Sequence, residues 1–165
     1  PQDPRVWFVG SIVLSTSKRY AEAVAYLRDK TRRPAAVPEA LVESVIRQTE
    51  ALATGRGIDA VRNTAHTSPA ASQIENFGVS LPMLVQFGMA DAAFALIEAF
   101  YFGGMFNGTR VPPPGPLDPR STMPLFAPTL LALRGDPRFV SLPERIGLED
   151  YWRKSGTQPD FRRRA

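Results

Sequence analysis

The sequence predicts an all-α protein made of about three helical hairpins followed by short C-terminal helices. Apolar residues recur at helical spacing through residues 5–102, and Gly or Pro interrupts them where turns between helices are expected. The chain has 165 residues, of which 44% are hydrophobic and 22% are charged, as in an ordinary folded domain. We therefore expect one domain spanning residues 1–165.

Residues 5–67 predict two helix pairs. The apolar run 5–17 is compatible with a strand or a helix, but the segment after it has apolar residues at i, i+3, i+4 and i+7, which indicates a helix that ends at Pro34. A second helix opens at Pro38 and Glu39. The sequence Thr-Gly-Arg-Gly at 54–57 interrupts that helix before a second arm that reaches about Thr67.

The third pair is the most apolar, with arms at about 71–87 and 90–102 on either side of Gly88. Pro82 lies inside the first arm, where its ring opposes the carbonyl four residues earlier. Gly78 occupies that earlier position and leaves room for a bend. We predict one kinked helix here rather than two helices.

The segment 103–123 is rich in Pro and Gly and predicts no regular helix. The favoured interpretation is a connector packed along the helices, and the alternative is a lid or recognition segment. Beyond it, residues 124–156 predict capping helices: one over 125–133, one that Asp136 and Pro137 start, and one over 148–154. Residues 157–165 form a predicted basic tail.

Residues 5 to about 102 resemble three degenerate tetratricopeptide repeats. Trp7 precedes Ala23 by 16 residues, the separation of the repeat's first-helix Trp and second-helix Ala, and Tyr20, Pro34 and Gly88 also fit. Acid-Ala pairs at 22–23, 59–60 and 91–92 recur after 37 and 32 residues, which bracket the repeat length. The first repeat has Ser where Gly is usual, and the second lacks large aromatic residues. The resemblance implies a right-handed α-α superhelix with a concave groove.

Residues 125–152 resemble the tail of bacterial tetratricopeptide-repeat proteins, which are often joined to adenylate-cyclase or winged-helix domains. That resemblance implies a regulatory module. In the register of the repeat, six residues are expected to face a partner in the groove: Phe8, Ile12, Ser15, Glu75, Val85 and Gln86.

Residues that commonly bind metals or act as catalytic nucleophiles and bases are scarce in this sequence. There is no Cys and one His, His66, so we expect no metal site, no cofactor and no enzyme activity. The net charge is +4, but without the arginines at 162–164 the basic residues fall from 20 to 17 against 16 acidic ones. Direct nucleic-acid binding is therefore not expected.

Membrane insertion is also not expected, because the longest uncharged stretch, 76–90, is too short to span a bilayer. Abundant Arg and Ala suggest a bacterial source and a cytoplasmic location, or a periplasmic one if the parent protein is membrane-anchored. We expect a non-catalytic interaction or scaffold module of a larger protein. The alternatives are a small-ligand sensory domain and a homodimerisation module.

Overall fold

The computed structural model describes residues 3–115, 118, 120–157 and 159, and it is dominated by helices. The predicted all-α class is confirmed, with the addition of one small β-hairpin. The chain divides into two compact units. The first comprises 1–69 and 86–89, and the second comprises 70–85 and 90–165. The single domain and the superhelical arrangement stay predictions.

The first unit contains the two predicted helix pairs. Helices α1 (Pro4–Thr16) and α2 (Tyr20–Arg28) form the first, and helices α3 (Glu39–Thr54) and α4 (Ile58–Thr67) form the second. Each helix packs on the next one in the chain. The expected interruption at 54–57 separates α3 from α4, and Gly55 ends α3 in the left-handed conformation.

Trp7 is the largest side chain in the core of the first unit, and it is only 2% exposed. The ring of Tyr26 stacks on it at 5.8 Å between centroids, and Phe8 meets its edge at 5.0 Å. A Cβ at Gly10 would lie 2.8 Å from the Tyr26 hydroxyl, so the missing side chain leaves room for that ring. The core also contains Leu27, Val37, Val42 and Ile46.

The second unit begins with α5 (Ala70–Glu75), α6 (Phe77–Gln86) and α7 (Ala90–Phe102). Strands β1 (Gly104–Phe106) and β2 (Thr109–Val111) follow. Two 3₁₀ helices then lead to α8 (Pro137–Arg145) and α9 (Leu148–Ser155). Helix α7 is the most buried of these elements, with seven buried residues.

The prediction of one kinked helix over 71–87 is wrong. The break falls at Asn76, before the proline, and α6 accommodates Pro82 within it. The Asn76 side-chain amide donates to the Ser72 carbonyl, while the backbone carbonyl of Asn76 accepts from the next helix at Val79 and Ser80. An Asn side chain that bonds locally to the backbone competes with helix continuation, which accounts for the break here.

The predicted helix over 125–133 is also wrong in form. Two short 3₁₀ helices, Met123–Phe126 and Pro128–Leu133, replace it. Ala127 between them is extended, with φ −60° and ψ 144°, because a residue before proline is sterically kept out of the helical region.

The Pro/Gly-rich segment 103–123 contains the hairpin that the sequence analysis did not predict. Its strands pair antiparallel, and the turn residues Asn107 and Gly108 have φ angles of 46° and 71°. Positive φ at both turn positions is typical of a two-residue hairpin loop. Phe106 and Val111 are buried, and the strands pack against α5 and α7.

The predicted starts of α8 and α9 are confirmed. The Asp136 carboxylate accepts a hydrogen bond from the Arg138 backbone amide at the start of α8. Gly156 ends α9 with a φ of 66°. The arginines at 162–164 of the predicted tail lie outside the described residues. Among the described helices, none has both the length and the apolar character that a membrane span requires.

Gly103→Ala tests a close backbone approach. Gly103 has a φ of 74°, and a Cβ there would lie 2.6 Å from the Pro113 nitrogen. Gly147 has a φ of 79° with nothing near its Cβ position, so Gly147→Ala is the matched control. We expect the control to lower the free energy of unfolding by about 1–2 kcal/mol. Gly103→Ala should lower it by a further ~1–3 kcal/mol in urea denaturation, because the backbone of 112–113 must move. Equal losses would contradict this account.

The buried phenol of Tyr101 is expected to make the fold less stable at alkaline pH. Its hydroxyl donates to the Ser121 carbonyl at 2.7 Å, and burial raises the pKa of its phenol, against a smaller opposing effect of Arg120. A raised folded-state pKa stabilises the fold below the ordinary pKa of about 10, and this contribution is lost as the pH rises above it. Tyr101→Phe should be less stable by about 1 kcal/mol at neutral pH. In denaturation series at increasing pH, the difference should shrink above about pH 10, and parallel profiles would refute the assignment.

Candidate functional site

The structure places the six sequence-predicted groove residues in two sets. Phe8, Ile12 and Ser15 are half-buried on one face of α1, and Phe8 packs against the core around Trp7. Glu75 is exposed at the end of α5. The last two, Val85 and Gln86, are half-buried neighbours at the end of α6. That the two sets face one partner stays a prediction.

A groove of about 690 Å³ lies within the first unit, between α3 and α4, and it is open to solvent along part of its surface. We call it the α3/α4 groove. It is lined by Ser44, Arg47, Gln48, Glu50, Ala51, Thr54, Arg56, Gly57, Ala60, Val61 and Thr64.

Helical spacing explains which residues line the α3/α4 groove. On α3, the lining residues 44, 47, 48, 51 and 54 follow the i, i+3, i+4, i+7 pattern that defines one face of a helix. On α4 the same pattern selects 57, 60, 61 and 64. Small residues, Ala51 and Ala60, face the groove from the two helices, so little side-chain volume fills the space between them.

The turn between α3 and α4 depends on two glycines. Gly55 and Gly57 have φ angles of 70° and 73°, a conformation that costs other L-residues about 1–2 kcal/mol. Arg56 between them is exposed and lines the groove. Its backbone amide donates to the Thr54 hydroxyl at 3.2 Å, which holds the turn against the end of α3.

Of the charged side chains that line the groove, the acidic one has an ion-pair partner and the two basic ones do not, within the described residues. Glu50 pairs with Arg28 of α2, with 3.0 Å between guanidinium nitrogen and carboxylate oxygen. In the described part of the chain, the guanidinium groups of Arg47 and Arg56 make no hydrogen bond or ion pair, and the Gln48 amide makes none either. The groove therefore presents two uncompensated positive charges beside an amide with free donors and acceptors.

Metal-binding geometry is not observed in the described residues. No group of three or more His, Cys, Asp or Glu side chains is close enough to hold an ion within them. The one histidine, His66, is exposed in the last turn of α4 and is not among the residues that line the groove.

The sequence patterns did not indicate the residues of this groove. The segment 54–57 was interpreted as a helix stop, and the second helix pair contributed none of the six predicted groove residues. One signal was available: α3 carries a face of polar and small residues, 44, 47, 48 and the buried Ala51, opposite Val42, Ile46 and Thr49, which are also buried. A face of that kind leaves open space when a second helix lies beside it.

No protein-family model, curated protein or solved structure matches this chain. The resemblance to tetratricopeptide repeats stays a prediction that rests on the residues quoted above. Two of those residues, Trp7 and Ala23, are buried in the first unit, at 2% and 0% exposure.

Proposed function

We propose that this chain is a non-catalytic protein-interaction module and that the α3/α4 groove holds a segment of a partner protein. The observation that carries the proposal is the groove itself: about 690 Å³ of open space between two helices, whose lining includes the side chains of Arg47, Gln48 and Arg56, which have no partner within the described part of the chain. Grooves between helices commonly receive an amphipathic helix whose anchors recur every three or four residues.

The shape of the groove favours a peptide over a small molecule. Small-ligand sites usually enclose most of the ligand surface, about 70–90% of it. The α3/α4 groove is open along part of its surface, so a small molecule would stay partly in water while a peptide could cover the opening.

Obstruction of the groove tests the proposed function. Peptides selected from a phage-displayed random library on the native chain would be fluorescently labelled, and their binding measured by anisotropy. Ala60 is exposed on α4 and lines the groove. We expect Ala60→Trp to lower their affinity by about tenfold or more, because the indole occupies the space that the peptide needs.

The matched control is Ala53→Trp. Ala53 is exposed on α3 but does not line the groove, so the same indole there should leave peptide affinity unchanged. Both variants should retain the helical circular dichroism of the native chain, because both substitutions are at exposed positions. Peptides that bind Ala60→Trp as tightly as the native chain would refute the proposed function.

A further inference from the structure

We infer that the occupant of the α3/α4 groove is an acidic segment of a partner protein, held by Arg47 and Arg56. The inference rests on the proposed function and specifies its partner. It is based on charge complementarity: two guanidinium groups without a partner inside the described part of the chain line the same groove.

The single acidic side chain that lines the groove does not compensate these arginines. Glu50 is engaged by Arg28 at 3.0 Å. Near the start of α4, Asp59 pairs with Arg62 at 3.3 Å and does not line the groove. Carboxylates of an incoming segment would therefore meet two guanidinium groups that no described residue pairs with.

The position of the two arginines indicates how such a segment would lie. Arg47 is near the middle of α3, and Arg56 is in the turn that follows its end, so they are nine residues apart along the chain. With a rise of about 1.5 Å per helical residue, the part of α3 from Arg47 to Thr54 spans about 10 Å. One pair of carboxylates two or three turns apart on a partner helix would match that spacing, with small apolar residues between them above Ala51 and Ala60.

The start of α4 adds a weaker contribution of the same sign. Gly57, its N-cap residue, lines the groove and has no side chain to cap the first backbone amides. Unpaired amides at a helix N-terminus carry partial positive charge. This contribution supports the anionic occupant but does not by itself define the site.

Other arginines of the chain have guanidinium groups that already form ion pairs and ring contacts within the fold. Arg138 in α8 pairs with Asp91 at 2.8 Å and lies 4.1 Å from the centre of the Phe94 ring. Arg145 pairs with Glu98 and lies 4.2 Å from the centre of the Phe102 ring. Both hold α8 to α7, whereas Arg47 and Arg56 make no contact of this kind with any residue that the structure describes and remain available to a partner.

The test uses the same peptide selection and compares the acidic-residue content of the selected peptides and their affinity for charge variants of the chain. On the native chain we expect the selected peptides to be enriched in Asp and Glu. The double variant Arg47→Glu, Arg56→Glu should bind them at least about tenfold more weakly, and raising the salt concentration should weaken native binding. The neutral double variant Arg47→Gln, Arg56→Gln should give an intermediate loss and guards against a folding effect of the charge reversal.

The control for net charge is the double variant Arg110→Glu, Lys154→Glu. Arg110 on β2 and Lys154 on α9 are exposed, and neither makes an ion pair in the described part of the chain. This variant changes the net charge by the same amount but alters no residue that lines the groove. Its peptide affinity should therefore stay close to native. An equal loss in the control would overturn the inference, because it would indicate attraction to overall charge.

Two further outcomes separate the inference from the function on which it rests. Peptides that Ala60→Trp excludes, but that lack acidic residues and tolerate the charge reversal, would overturn the acidic partner and leave the proposed function standing. Light scattering that finds a dimer in the native chain and a monomer in Ala60→Trp would also overturn the inference of an acidic partner segment, because a second copy of this chain would then occupy the groove. Failure of Ala60→Trp to affect any peptide would remove both proposals.

Discussion

The shortness of the helices is the constraint on which the rest of this structure depends. Among the described α-helices, the longest, α3, has 16 residues and the shortest, α5, has six, and most isolated helices in this range are marginal in water. Each therefore needs an apolar face buried against a neighbour. In the first unit Trp7 supplies much of that buried area. In the second, the Phe77 and Phe100 rings stack at 3.8 Å and fix α6 against α7.

Some arginines of this structure hold helices together, and others line the groove without a partner among the described residues. In the first unit, Arg28 ties α2 to α3 through Glu50. In the second unit, Arg138 and Arg145 repeat the same arrangement seven residues apart, each between an acidic residue and an aromatic ring of α7. A guanidinium that is both paired and stacked contributes to helix packing. In the first unit the arginines of the α3/α4 groove have no such role. The guanidinium groups of α8 are used in helix packing, whereas those of the groove remain able to bind a partner. For this reason the groove, rather than the more aromatic second unit, is the candidate site.

Local sequence signals predicted most helices well and failed where side chains compete with the backbone. The stops at 54–57 and the cap at Asp136 were identifiable because Gly and Asp act on their immediate neighbours. The break at Asn76 was missed because Pro82 is the stronger signal, although Asn76 bonds to the preceding turn. The hairpin was missed although Asn107-Gly108 is a strong turn signal, because the prolines around it favoured an extended chain.

The sequence by itself determined the helical class, the order of the helices and most of their ends, because these depend on spacing and on residues within a few positions of each other. It also determined which residues share a face of α3. Only the tertiary structure decided that this face and one on α4 leave a groove between them. It also decided that Arg28 pairs with Glu50 while Arg47 and Arg56 have no partner among the described residues. Those outcomes depend on the distance between side chains of different helices. Periodicity along one helix carries no information about that distance.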